Sequence, residues 1–217
     1  MLRLIYLHGF ASSSASGKAR YLGERFRALG VDFEAPDLNL PDFSTLTVTR
    51  MLAQVGDAIS ARDERVAVIG SSLGGFVAVQ AALQHPTRVT HLVLLAPALD
   101  FGGNRMRELG GVGLENWKAS NRLDVFHYGY GRVVPVHYEL YEDARRYDSF
   151  DAAVTQPVQV FQGRRDDAVD PTTVERWCRA RPNVELHLLD DDHQLLASLG
   201  LIWREMKRFL GLPHGGT

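Results

Sequence analysis

Short apolar runs alternate with amphipathic stretches along most of the 217-residue chain. Runs rich in Val, Leu and Ile predict strands, and apolar residues that recur at steps of three and four predict helices between them. The predicted strands are residues 2–8, 31–37, 65–70, 89–98, 158–163 and 184–189. The predicted helices are residues 15–29, 48–59 and 72–84, one that opens at Asp170-Pro171, and 195–209.

Strands that alternate with helices and are apolar on both faces are typical of a parallel sheet covered on both sides. We therefore expect an α/β fold with a mainly parallel sheet of about six strands. Ligands of such sheets bind beyond the carboxyl ends of the strands. The segments that follow residues 8, 70, 98, 163 and 189 are therefore the places to look for a site.

Residues 100–156 interrupt this alternation. The segment shows no clear strand–helix unit but is rich in glycines and aromatic residues, including Trp117 and Tyr130. A stretch of this length inside a compact domain is usually functional or disordered, and the aromatic residues argue against disorder. We expect one domain over residues 1–217, in which this segment forms a lid or cap insertion over the carboxyl edge of the sheet.

Composition and charge narrow the class of protein. Hydrophobic residues make up 45% of the chain, and the net charge of −2 gives no reason to expect nucleic acid or an anionic membrane as a partner. The only cysteine is Cys178, which excludes an intrachain disulfide. The chain begins with a predicted strand and has no apolar run of membrane-spanning length. We expect a soluble cytoplasmic protein; the sequence does not distinguish a monomer from a homodimer.

The turn after the third predicted strand contains two adjacent serines, Ser71 and Ser72, in the stretch VIGSSLGGF at residues 68–76. A serine on a sharp strand-to-helix turn needs small residues two positions to either side. Gly70 and Gly74 meet this requirement for Ser72, whereas Ser71 would be flanked by the bulky Ile69 and Leu73. Ser72 is the candidate nucleophile; the alternative is a glycine-rich connection without chemistry.

A serine nucleophile needs a base, and the base needs an orienting acid. His193 follows the last predicted strand at the expected edge, whereas His127 and His137 fall in the interrupting segment and could line a pocket. Asp166, Asp167 and Asp170 all follow the preceding strand. Asp170 is better explained as a helix cap before Pro171. In one known fold, the nucleophile, the acid and the base follow one another in this order along the chain. Ser72, Asp166 and His193 occur in the same order.

A serine nucleophile that attacks a carbonyl group also needs hydrogen-bond donors for the developing oxyanion. One donor is expected to be the backbone N–H of Leu73, at the start of the helix that follows. The other should come from the loop after the first strand, where we select the N–H of Phe10. Gly9 lets this loop approach closely, and His8 is expected to brace it.

Several motifs together resemble the α/β-hydrolase superfamily: His8-Gly9-Phe10, GSSLGG at residues 70–75, the Gly163-x-x-Asp166 spacing and Asp192-His193. The opening YLHGFASS at residues 6–13, with APDL at residues 35–38, most resembles the small bacterial esterases of the YqiA type. The resemblance implies ester or thioester hydrolysis by a serine triad. The sequence departs from the smallest members in the long segment at 100–156.

These observations predict a serine hydrolase that cleaves carboxylic esters through an acyl-enzyme, with a small-molecule ester as its partner and no cofactor or metal. Trp117 and Tyr130 are selected as substrate-binding residues, although packing against the core explains them equally well. The alternatives are a thioesterase or acyltransferase with the same triad, or a non-catalytic ligand-binding member of the fold.

Three other motifs are set aside. Residues 12–19 suggest a phosphate-binding loop but have Ser12 in place of its first glycine and Ala19 in place of its magnesium-binding hydroxyl. The glycines at 70, 74 and 75 lack the dinucleotide-binding spacing. The three consecutive aspartates at 190–192 do not converge from separate elements as a cation site requires, so a solvated loop is expected.

Overall fold

The computed structural model describes residues 2–103 and 110–213. These residues form eight strands: β1 (Arg3–Leu7), β2 (Asp32–Glu34), β3 (Val66–Ser71), β4 (Val89–Leu95), β5 (Leu123–His127), β6 (Arg132–Val136), β7 (Val158–Gly163) and β8 (Val184–Leu189). Six of them form one parallel sheet in the order β2-β1-β3-β4-β7-β8, and β5 and β6 form a separate antiparallel hairpin. The parallel sheet of about six strands is confirmed.

Helices cover both faces of the sheet. They are α1 (Gly17–Ala28), α2 (Val48–Ser60), α3 (Leu73–Gln84), α4 (Gly110–Ser120), α5 (Glu139–Ala144), α6 (Pro171–Arg179) and α7 (Leu199–Phe209), with a short 3₁₀ helix at Phe43–Thr45. Buried residues of α2, α3 and α6 share one hydrophobic core, and those of α1 and α7 share the other. Alternate residues of β1 enter opposite cores because side chains of a strand point alternately to its two faces.

The predicted elements agree with the structure except near their ends. β2 is limited to Asp32–Glu34 because it pairs with β1 over only three residues at the edge of the sheet. β4 ends at Leu95, since Ala96 turns the chain with a φ of 45°. The last helix begins at Leu199 rather than 195, because Leu195 has a left-handed φ of 56°, although its side chain is fully buried.

The segment 100–156 contains structure that the sequence pattern did not predict. Its described part forms α4, the β5–β6 hairpin and α5. The Trp117 indole N–H donates to the Val136 carbonyl at 2.9 Å, and the His137 N–H donates to the Ser44 carbonyl at 2.8 Å. The first bond joins α4 to β6 within the segment, and the second attaches the segment to the rest of the domain. That the segment acts as a lid or cap stays a prediction. None of the described helices is both long and apolar enough to cross a membrane.

Candidate active site

Ser72 stands alone between a strand and a helix. β3 ends at Ser71 and α3 begins at Leu73, so Ser72 makes the whole turn, with φ 54° and ψ −117°. Residues with a side chain rarely adopt this left-handed conformation, and it persists only where surrounding contacts impose it. Here the Ser72 N–H donates to the Leu95 carbonyl at 2.9 Å, and its own carbonyl accepts from Ala98 at 3.0 Å.

Glycines make this turn possible. A Cβ on Gly70 would lie 2.3 Å from the Gly74 carbonyl oxygen, and one on Gly74 would lie 2.2 Å from the Leu7 carbonyl oxygen. A Cβ on Gly75 would lie 2.7 Å from the Pro97 side chain. The turn therefore closes tightly around Ser72, whose hydroxyl makes no capping bond to α3 and so stays available.

His193 and Asp166 meet at the carboxyl ends of β8 and β7. The His193 Nδ1 lies 2.9 Å from Oδ2 and 3.0 Å from Oδ1 of Asp166. The Asp166 side chain is fully buried, whereas 17% of the His193 side chain is exposed. The ring is thus held by a buried carboxylate on one side and open to a cavity on the other.

Several donors converge on the Asp166 carboxylate. Oδ1 also accepts from the N–H groups of Ala168 at 2.9 Å and Val169 at 2.8 Å, and Oδ2 accepts from the Gln162 side-chain amide at 2.8 Å. Burial alone would raise the pKa of Asp166, but these hydrogen bonds and His193 together lower it below its ordinary value. Asp166 is therefore ionised at neutral pH and accepts the Nδ1–H of His193.

Asp191 stabilises the loop that carries His193 through two hydrogen bonds. The Asp191 carboxylate accepts from the Asp192 N–H at 2.9 Å and from the Ser198 N–H at 2.8 Å. A Cβ on Gly163, at the end of β7, would lie 2.5 Å from the Asp192 carbonyl oxygen. The expectation of a solvated aspartate loop is therefore wrong for Asp191, which is buried.

Lys18 of α1 supports the same loop from the opposite side. Its ammonium donates to the Gln194 carbonyl at 3.1 Å, and the residue is only 8% exposed. Burial lowers the pKa of Lys18 to about 8, although the nearby carboxylates of Asp166, Asp192 and Asp191 oppose this shift. Lys18 thus holds the backbone beside His193 from a largely buried position.

The loop after β1, residues 8–13, is called the β1 loop. His8 is buried; its Nε2 accepts from the Leu38 N–H at 3.0 Å, and its Nδ1 lies 2.9 Å from the Gly9 carbonyl oxygen. Nε2 also lies 3.3 Å from Oδ1 of Asp37, and this hydrogen bond is the main cause that lowers the pKa of Asp37. His8 braces the loop by these bonds. A Cβ on Gly9 would lie 3.2 Å from that of Ser72, so the loop passes directly beside the serine.

Leu73 directly follows Ser72, and Phe10 follows Gly9, which lies against Ser72. In the described part of the chain, the backbone N–H of neither Phe10 nor Leu73 donates to another group of the protein. Leu73 is the first residue of α3, which has no acidic residue in its first turn, and the partial positive charge of a helix N-terminus favours an anion there. Two free donors beside a serine are what an oxyanion hole requires.

A cavity of about 1030 Å³ brings most of these groups together. Ser72, His193, Phe10 and Leu73 all line it, and Asp166 lies behind His193. Within the described residues, no hydrogen bond joins the Ser72 hydroxyl to His193; such contacts often tighten only when substrate binds.

The two predicted substrate-binding residues do not line this cavity. Trp117 is 2% exposed, and its ring packs against Tyr138 and Tyr141 because its indole N–H is bonded to β6. Tyr130 stacks on His127. The same segment instead contributes Val125, Phe126 and Tyr128 of the hairpin to the cavity wall.

Sequence reasoning missed Lys18, Asp191 and the hairpin residues. Alternating apolar positions on both sides of the glycine-rich turn at 128–131 are a hairpin signal that could have identified β5 and β6. Lys18 stands in the stretch set aside as a false phosphate-binding loop, and no local signal marks it as a contact of the His193 loop.

The sequence model of the family described as "Uncharacterised protein family (UPF0227)" matches residues 3–210. Among curated proteins, the chain is 37% identical over 95 residues to the pimeloyl-[acyl-carrier protein] methyl ester esterase of Nitrosomonas europaea, a match over 43% of this chain and 36% of that protein. The chain spans between 25% and 36% of the length of the curated relatives it matches.

Solved structures match over nearly the whole chain. Est1E from Butyrivibrio proteoclasticus, with ferulic acid bound, superposes with a TM-score of 0.83 at 23% identity, covering 97% of this chain and 88% of its own. Mouse alpha/beta hydrolase domain-containing protein 10 has a TM-score of 0.82 at 20% identity, covering 96% of this chain and 89% of its own. The fold is that of the α/β hydrolases.

Substitution of Gly74 by Ala tests the tight turn. The new Cβ would collide with the end of β1, so we expect Gly74→Ala to lower the free energy of unfolding by about 1–3 kcal/mol or more, measured by urea denaturation. Gly200→Ala is the matched control, because a Cβ at this position of α7 meets nothing within 4 Å. It should be neutral or stabilising by up to about 1 kcal/mol; equal losses in both variants would contradict the packing described.

Proposed function

The chain belongs to the UPF0227 family and has the α/β-hydrolase fold, and from this premise we propose that it is a serine hydrolase that cleaves carboxylic esters. One observation carries the proposal: Ser72, in a left-handed turn, lines the same cavity as a His193 whose Nδ1 is bonded to the buried Asp166 carboxylate. The partial match to a protein named as a methyl ester esterase supports the same chemistry.

The hydrogen bond between His193 and Asp166 selects which ring nitrogen of His193 carries the proton in the neutral imidazole. Because Asp166 is ionised, it accepts a proton-bearing Nδ1, and the neutral imidazole then has its free electron pair on Nε2. In the proposed mechanism, Nε2 takes the proton from Ser72 as the serine oxygen attacks the ester carbonyl carbon. Asp166 keeps the ring oriented and stabilises the imidazolium that forms.

The negative charge that develops on the carbonyl oxygen falls between Phe10 and Leu73. Their backbone N–H groups would donate to this oxyanion, and each such donor is worth roughly 10²–10³ in rate. When the tetrahedral intermediate collapses, the imidazolium returns its proton to the departing alkoxide and leaves an acyl group on Ser72. Water activated by His193 then attacks the acyl carbon and releases the acid.

The cavity is lined in a way that favours an apolar substrate. Its volume of about 1030 Å³ is at the upper end of the range of small-molecule sites. Val125 and Phe126 of the hairpin and Leu196 beside the His193 loop supply apolar surface. Esters with an apolar acyl or aryl group are therefore the proposed substrates, and a panel of esters and thioesters of increasing acyl length would rank them.

Replacement of Ser72 by Ala tests the nucleophile. With p-nitrophenyl butyrate as substrate, we expect Ser72→Ala to reduce kcat by about 10⁴-fold or more, because no other group can form the acyl-enzyme. Thermal unfolding should show an intact fold.

Ser71→Ala is the matched control for this experiment. Ser71 is the adjacent serine, is buried, and ends β3 rather than occupying the turn. It should keep most of the esterase activity. Loss of activity in Ser71→Ala but not in Ser72→Ala would exclude the proposed nucleophile.

Replacement of Asp166 by Asn tests the orienting acid. The amide cannot accept the Nδ1 proton as the carboxylate does, so the base is held in the wrong tautomer, and kcat should fall by about 10³–10⁴-fold. The neighbouring Asp167 is exposed, which makes Asp167→Asn the control with the same chemical change. If Asp167→Asn proved the more damaging of the two in steady-state assays, the assignment of the acid would be incorrect.

A further inference from the structure

The turn of the β5–β6 hairpin, residues 128–131, touches the β1 loop directly. The Tyr128 N–H donates to the Ala11 carbonyl at 2.8 Å. A Cβ on Gly129 would lie 2.9 Å from that of Ser13, so the two turns are in close contact. Ala11 has a left-handed φ of 52°, which surrounding contacts must maintain. The hairpin is one source of those contacts, immediately after Phe10.

A series of contacts among four rings forms a second connection between the hairpin and the β1 loop, by way of Phe43 in the 3₁₀ helix. Tyr130 lies parallel to His127, with ring centroids 3.8 Å apart and an interplanar angle of 9°. His127 meets Phe43 edge to face at 4.7 Å and 89°, and Phe43 packs against Phe10 at 5.3 Å. Such aromatic pairs contribute energy beyond simple burial and prefer defined geometries. Through these contacts, the position of the hairpin influences the position of the Phe10 side chain.

His127 lies in the middle of this series of ring contacts, and its ring is neutral. It is fully buried, and its Nδ1 accepts from the Tyr130 N–H at 3.1 Å, which leaves the proton on Nε2. Burial lowers the pKa of His127, and the nearby His8 acts in the same direction. His127 is thus a flat ring of fixed orientation, held at one edge by the hairpin backbone.

We infer that His127 and Tyr130 are positioning residues for the oxyanion hole: they hold Phe43, and through it Phe10, so that the Phe10 N–H points at the carbonyl oxygen of the substrate. This inference rests on the proposed function. An oxyanion donor works only at about 2.7–3.1 Å from the developing charge, so a small displacement of Phe10 removes much of its effect. Tyr130 acts at the site without contacting the substrate.

Three variants test the inference: His127→Ala, His127→Phe and Tyr130→Ala. Steady-state kinetics with p-nitrophenyl butyrate give kcat and KM, and inhibition by an aryl trifluoromethyl ketone, which forms a tetrahedral adduct, gives Ki. His127→Ala should lower kcat by at least about 10-fold, up to the roughly 10²–10³ that one donor contributes. KM should stay within about twofold, and Ki should rise by the factor by which kcat falls.

The other two variants separate positioning from general damage. His127→Phe keeps a flat ring between Phe43 and Tyr130 and should recover most of the lost kcat and Ki. Tyr130→Ala should change both constants in the same direction as His127→Ala but less. Tyr130 is 44% exposed, so this variant decides the question if His127→Ala does not fold. Val133→Ala, an exposed substitution on β6 of the same hairpin, should change neither constant.

Three results would overturn the inference. The first is an unchanged kcat in folded His127→Ala or Tyr130→Ala. The second is a rise in KM alone, which would mean that these residues contact substrate. The third is a lower yield of active enzyme with Ki unchanged, which would mean a purely structural role. Failure of the proposed function is distinguishable, because it would appear as activity retained in Ser72→Ala.

Discussion

Ser72 can hold its left-handed backbone only because Gly70, Gly74 and Gly75 let β3, the end of β1 and the loop after β4 close around it without side chains. This arrangement places the Ser72 hydroxyl beyond the end of β3, next to the N–H of Leu73, the first residue of α3. It also brings the β1 loop against the serine, since Gly9 and Ser72 are in contact. Every other group of the candidate site is arranged with respect to this turn.

The remaining groups of the site lie on loops that hydrogen bonds from neighbouring residues hold in place. Asp166 is held by two backbone N–H groups and Gln162, and the His193 loop by Asp191 and Lys18. His8 fixes the β1 loop from inside, and the hairpin holds it from outside. A site built in this way needs little rearrangement during a reaction, which is the condition under which fixed dipoles are most effective.

Much of this could be predicted from the sequence because strand ends in a parallel sheet share one edge. Residues that follow β3, β7 and β8 must meet there, and this constraint predicts Ser72, Asp166 and His193 as one site. The glycine spacing distinguished Ser72 from Ser71 for a steric reason that the structure shows at Gly70 and Gly74. The helix cap at Asp170 was also predictable, and its side chain accepts from Thr172 at 2.9 Å.

Residues that depend on contacts between distant segments could not be predicted. Lys18 reaches Gln194 across 176 positions of the chain, and nothing in the local pattern of α1 indicates this. Aromatic density located the segment 100–156 but did not determine which rings face the cavity, so Trp117 and Tyr130 were selected although both pack elsewhere.

The central claim is that Ser72 is a nucleophile activated by its surroundings. Incubation of the protein with a fluorophosphonate, followed by mass spectrometry of its peptides, tests this directly, because such reagents phosphonylate activated serines. A single adduct on Ser72, absent from Ser72→Ala, is the expected result. No adduct would contradict the claim and favour a protein that binds a ligand without catalysis. An adduct on Ser71 instead of Ser72 would contradict it by making Ser71 the nucleophile.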